Sequence, residues 1–111
     1  MNITCKYVSL KNYIPLGVPK EDDFEIKSKV LELNSINNIH VENTWISVDP
    51  YMRARMTEKK NYKPPFKLGE EMEGYAIGVV KNSNNSSFNN GDIVFSNFGM
   101  RDNFICNYKE L

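Results

Sequence analysis

Apolar and polar residues alternate along most of this chain, in runs too short for helices. From Ile3 to Leu10, Cys5, Tyr7 and Ser9 alternate against Lys6 and Val8, a period of two that predicts a strand. Pro15, Gly17 and Pro19 then interrupt any regular structure. Phe24, Ile26, Ser28 and Val30 alternate with Glu25, Lys27 and Lys29, which predicts a second, half-buried strand. Leu31 and Leu33 then become the apolar positions, and that change of parity predicts a β-bulge near Val30 and Leu31. Asn34 to Asn38 form a turn cluster. His40 to Val48, rich in β-branched and aromatic residues, predict a third strand.

Asp49-Pro50 ends that strand. Aspartate can cap a helix and proline suits its first position. A helical turn over Tyr51 to Met56 is therefore expected, capped by Asp49, with Met52 and Met56 on one face and Arg53 on another. Pro64-Pro65 keeps the next segment irregular. Met72 to Val80 predicts a further strand, where Gly74 and Gly78 allow close backbone approach. Lys81 to Asn90 is a polar loop, Asn90-Gly91-Asp92 a tight turn. Asp92 to Phe98 and Arg101 to Cys106 predict a final hairpin around Gly99. No long stripe of helical period exists. The expected fold is mainly β, a small, partly open β-barrel with short helical turns.

A length of 111 residues allows one domain with a modest core. Fourteen basic residues balance 14 acidic ones, which speaks against a nucleic-acid or anionic-membrane surface. No apolar run reaches the length of a membrane span, and the N-terminus has no signal-peptide core. A cytoplasmic protein is expected, and Asn84 and Asn85, which head Asn-x-Ser sequons, are then ordinary loop residues. Cys5 and Cys106 are expected as reduced, small apolar side chains, a bridge between them requiring the end strands to pair. Lys59, Lys60, Lys63 and Lys67, flanked by Glu58, Glu70, Glu71 and Glu73, are expected as a solvated loop.

The chemistry-bearing candidates are few. A zinc site needs about four ligands at workable spacing, and this chain has one histidine, His40, and no paired cysteines. No metal is expected, and His40 is expected at a strand start without a catalytic role. The spacing of Gly69, Gly74 and Gly78 does not make a dinucleotide fingerprint, and no P-loop exists. Glu70, Glu71 and Glu73 are expected to be a solvated edge rather than an acid–base cluster. Tyr51 and Tyr75 each offer an apolar plate and one hydroxyl, which suits a flat unsaturated carbonyl. Ordinary core packing would also account for both.

Two segments are far more specific. Val48-Asp49-Pro50-Tyr51-Met52-Arg53-Ala54-Arg55-Met56 and Pro64-Pro65-Phe66-Lys67-Leu68-Gly69-Glu70-Glu71-Met72-Glu73-Gly74 together resemble the N-terminal part of zinc-free medium-chain reductases. The resemblance is to the NADP-dependent alkenal/enone double-bond reductases, a group that includes prostaglandin and leukotriene reductases. It runs from about Tyr7 to Phe104. It includes Leu10-Lys11-Asn12-Tyr13, Asp23-Phe24-Glu25 and the widespread Gly91-Asp92-Ile93-Val94 turn.

The resemblance implies a GroES-like N-terminal domain over residues 1–111. The Rossmann cofactor domain would follow beyond Leu111, or come from another chain. It implies that NADP(H) serves the full-length enzyme, that this chain alone binds none, and that the substrate is an enal or enone. Tyr51 and Tyr75 match pocket tyrosines, and Met52 and Arg53 would support their loop. No catalytic residue falls in this chain. Zinc relatives carry a cysteine near Asp49 and a histidine at Glu70, and neither is present here. Met100 stands where the family has an aromatic, which changes the shape of the pocket.

The isolated domain is expected to be inactive and to expose an apolar face through which it could self-associate. The competing reading is a stand-alone, non-catalytic β-barrel for binding or assembly.

Overall fold

The computed structural model describes residues 1–59 and 63–111. Among them no helix is long and apolar enough to cross a membrane. Six strands dominate the described residues. Strand β1 (Asn2–Leu10) and β2 (Phe24–Glu32) form an antiparallel two-stranded sheet. Strands β3 (Asn38–Ile46), β4 (Ala76–Ser83), β5 (Ile93–Ser96) and β6 (Asn103–Asn107) form an antiparallel sheet in the order β5-β4-β3-β6. Helix α1 is one turn, Tyr51–Ala54. The fold is mainly β, as expected, but the two sheets do not close into a barrel. Single bridges, Tyr7 to Arg101 and Ser9 to Glu71, tie β1 to the segments that precede β6 and β4.

Two apolar clusters hold this arrangement. Leu10, Ile14, Met52, Met56, Phe66 and Met72 pack around α1 and the loop end of the β1–β2 hairpin. Ile39, Val41, Val80, Val94, Phe104 and Cys106 pack along one face of the four-stranded sheet. Burial of this kind supplies most of the driving force for a small domain.

Several details differ from the sequence reading. The register of β1 against β2 is unbroken, so no bulge lies at Val30 and Leu31. The apolar residues Ile26 and Val30 are exposed (78% and 64%), because they share a face of the hairpin with Lys6 and Ser28, opposite the face that buries Cys5 and Ser9. The irregularities lie in β3 instead, where the register against β4 shifts after His40 and again after Asn43. The last two strands are not a hairpin. β5 pairs only with β4, and β6 crosses to the far side of β3, where Phe104 and Cys106 reach the sheet's apolar cluster. Asp49 does not cap α1 with its side chain. Pro50 occupies the capping position, and the Ser47 hydroxyl donates to Asp49 Oδ1 at 2.9 Å. The fourth strand begins at Ala76 rather than Met72.

His40 is buried near the start of β3, between Asn103 Oδ1 at 2.8 Å from Nε2 and the Asn82 amide at 3.4 Å from Nδ1. The turn at Gly91 is as expected, with φ +94° and its N–H donating to Val80 O at 2.8 Å.

Cys5 and Cys106 are free and buried. Burial pushes the Cys106 thiol up to about 12, with the Glu110 carboxylate adding to it. The folded thiol therefore keeps its proton where the unfolded thiol has lost it. Stability should fall as pH rises from the ordinary thiol value of 9.0 toward about 12. Urea midpoints at about pH 8 and about pH 10 should drop more for the native chain than for Cys106→Ala. Equal drops would remove Cys106 as the cause.

Candidate functional site

The chain leaves β3 at Ile46 and turns through Ser47 to Asp49 into α1, which carries Tyr51. The Ser47 N–H donates to Tyr75 O at 2.9 Å, so this turn is laced to the segment entering β4. Tyr51 and Tyr75, each expected as a pocket residue from the family resemblance, lie side by side. Their ring centroids are 6.2 Å apart with planes tilted by 60°. Tyr75 in turn stacks on Phe95 of β5, at 5.3 Å and 25°. Stacks of this geometry contribute beyond their buried area.

The two tyrosines differ in what they present. Tyr75 is exposed, whereas the Tyr51 hydroxyl is buried with no hydrogen-bond partner among the described residues. Burial, with the Asp49 carboxylate and the Tyr75 phenol nearby, pushes the Tyr51 phenol above its ordinary value. Asp49 Oδ2 is likewise buried and unpartnered. Met52 is buried under this turn, with its methyl group against Gly74. Arg53 points the other way. Its Nε and Nη2 donate to Gly17 O at 3.2 and 3.0 Å, strapping the loop before β2 to α1.

Sequence reasoning missed three members of this neighbourhood. Phe95 could have been found, since Ile93 and Phe95 alternate outward against the buried Val94 and Ser96. Lys63 gave no such signal. It is half-buried, with Nζ 5.2 Å from the Tyr51 centroid and 5.8 Å from that of Tyr75. Lys60 of the same cluster lies outside the described residues.

The third missed residue is Trp45, which pairs across the sheet with Ile77, and Ile77 with Phe95. The three stand 75%, 42% and 62% exposed, an apolar row across three strands. A shallow space of about 350 Å³ lies along that row and reaches Tyr75.

The acidic cluster is not simply solvated. Glu73 Oε1 pairs with the buried Arg55 at 2.8 Å, and Glu71 pairs with Lys29 at 2.7 Å and Arg101 at 3.8 Å. Glu70 is exposed. Arg55 also donates from Nε to Pro64 O at 2.8 Å and lies 4.2 Å over the Phe66 ring, which pins the loop carrying Lys63. Among the described residues no group of three histidine, cysteine or acidic side chains converges as a metal site would need. No strand–turn–helix is present among them to receive a pyrophosphate, since α1 spans four residues and follows Pro50 rather than a glycine turn. These residues do not fit a dinucleotide.

The family profile for the N-terminal domain of oxidoreductase matches residues 6–111. The chain belongs to this family of oxidoreductase N-terminal domains.

Its relatives agree. This N-terminal domain is 36% identical over 104 residues to the NADP(+)-dependent 2-alkenal reductase of Nicotiana tabacum, covering 90% of the chain and 30% of that protein. It is 30% identical over 88 residues to the NADPH-dependent curcumin reductase of Escherichia coli K12, covering 79% of the chain and 26% of that protein. Its fold matches the crystal structure of CurA from Vibrio vulnificus in complex with NADPH, with a TM-score of 0.85 and 28% identity over 91% of this chain and 30% of that one. The chain thus spans about a third or less of the length of the relatives it matches.

Proposed function

We propose that this chain is the substrate-side domain of an NADPH-dependent enzyme that reduces the C=C bond of α,β-unsaturated aldehydes and ketones. The observation that carries this reading is the Tyr51–Tyr75–Phe95 cluster, in which Ser47, just before the first of the two specific motifs, is bonded to Tyr75, just after the second. Tyr75 offers an exposed ring for a flat conjugated carbonyl. Tyr51 braces that ring, with Met52 beneath and Arg53 holding the neighbouring loop. The relatives' dependence on NADP(H) supports the cofactor assignment.

The cofactor is held by a nucleotide-binding domain, in the same chain or in another, that covers the row of Trp45, Ile77 and Phe95. Left uncovered, that row favours self-association. The domain by itself is inactive, because reduction needs donor and substrate held together. No zinc takes part, and the enzyme works in the cytoplasm.

The test is NADPH oxidation by the protein as its source makes it, with an enal as substrate. Turnover is expected, and Tyr75→Ala should lower kcat/KM by about tenfold, mostly through KM. An unaltered kcat/KM in Tyr75→Ala would remove this tyrosine from the substrate site. Absence of NADPH oxidation with any enal or enone would sink the enzyme assignment.

A further inference from the structure

We propose that Lys63 makes the tyrosine site selective for unsaturated carbonyl compounds that also carry a carboxylate. The inference rests on the reading of Tyr51 and Tyr75 as substrate contacts. The Lys63 ammonium lies 5.2 and 5.8 Å from their two ring centroids. Both distances fall within about 6 Å, where a cation is drawn to an aromatic face. Its place is fixed from behind, because Arg55 holds the carbonyl of the next residue, Pro64, at 2.8 Å.

The charge has no ion-pair partner among the described residues. Of the acids nearest Tyr51, Glu73 pairs with Arg55, and Asp49 accepts from the Ser47 hydroxyl through Oδ1 and forms no ion pair with Lys63.

A ligand laid over Tyr75 strips water from this ammonium. A desolvated charge without a partner is costly. A neutral enone covers Lys63 and offers it nothing, whereas a substrate carboxylate pairs with it while the conjugated carbonyl lies on the ring. Lysine suits that role, being a compact charge on a flexible stem that can swing from the ring face to an incoming anion.

The test compares acetylacrylate with ethylideneacetone, enones that differ by a carboxylate in place of a methyl group. Both are given with NADPH to the protein as its source makes it, native and as Lys63→Met and Lys63→Arg. Their intrinsic reactivities differ, so the informative quantity is the ratio of kcat/KM, acid over neutral, compared between variants. Lys63→Met should lower that ratio by about tenfold, mainly through KM, and Lys63→Arg should restore most of it.

An unchanged ratio overturns the proposal. So does an equal fall for both substrates, which would put the ammonium at the carbonyl oxygen instead. Should the native protein reduce neither compound, selectivity is decided by binding. Quenching of aromatic fluorescence by levulinate and by methyl propyl ketone reads it directly. Tighter binding of the keto acid that is lost in Lys63→Met supports the proposal, and equal binding overturns it.

Discussion

Gly99→Ala will destabilise the domain by on the order of 3 kcal/mol. A Cβ at this buried position would sit 2.6 Å from Gly74 O and 2.9 Å from Gly74 C. Those are backbone atoms, which cannot rotate aside as a side chain can. The same place is fastened from both sides, since the Gly99 N–H donates to Gly74 O at 2.8 Å and Phe98 bridges Gly74. The added methyl must push the segment carrying Tyr75 away from the connection between β5 and β6. Gly17→Ala is the natural comparison. Its Cβ meets nothing within 4 Å, and its φ of +93° leaves only backbone strain, about 1 to 2 kcal/mol. Urea midpoints for both variants settle the matter. A Gly99→Ala loss no larger than that of Gly17→Ala would mean the two segments are not locked together.

Arg55→Met is expected to cost about as much, on the order of 3 kcal/mol, for a different reason. The Arg55 side chain is only 7% exposed, and its partner Glu73 is 48% exposed. The half-solvated partner keeps the loss at the low end for a broken buried pair. Methionine preserves the packing on Phe66 but abandons Pro64 O and Glu73. Glu73→Gln should cost less, about 1 kcal/mol, because its amide can still accept from Arg55. The functional consequence is local, since Arg55 anchors the loop that sets Lys63 over the tyrosines. Trypsin should cut after Lys67 much faster in Arg55→Met than in the native chain. Native-like cleavage together with an unchanged urea midpoint would show that this loop is held by something else.

How much of this was legible in the sequence depends on whether the information was local. Strand β1 followed directly from the alternation of Cys5, Tyr7 and Ser9 against Lys6 and Val8, and the turn at Gly91 from Asn-Gly chemistry. Alternation names two faces of a strand but not which one is covered. Ile26 and Val30 therefore read as buried although they are exposed. Nor does it choose a partner, so the neighbouring strands β5 and β6 read as a hairpin although they border opposite sides of the sheet. The helical turn after Pro50 was visible, but the Asp49 side chain turned to Ser47, a choice between two hydrogen bonds of similar worth. Tyr51 and Tyr75 were singled out by the family resemblance rather than by spacing. Lys63 was invisible because nothing local distinguishes a lysine over a ring from one in water.

The crossing of β6 to the far side of β3 also sets a schedule. The hairpin of β1 and β2 can zip from its own turn as soon as Glu32 has left the ribosome. Strand β3 has no such neighbour, because Ile39 pairs with Cys106 and Val41 with Phe104. Its outer side must wait, unpaired, for almost the entire domain to leave the ribosome. Pairings that span so much chain are slow, and they leave an open strand that neighbours can capture. Nascent chains stalled before Asn103 should therefore be the ones that chaperones hold, and release should follow once Asn107 emerges.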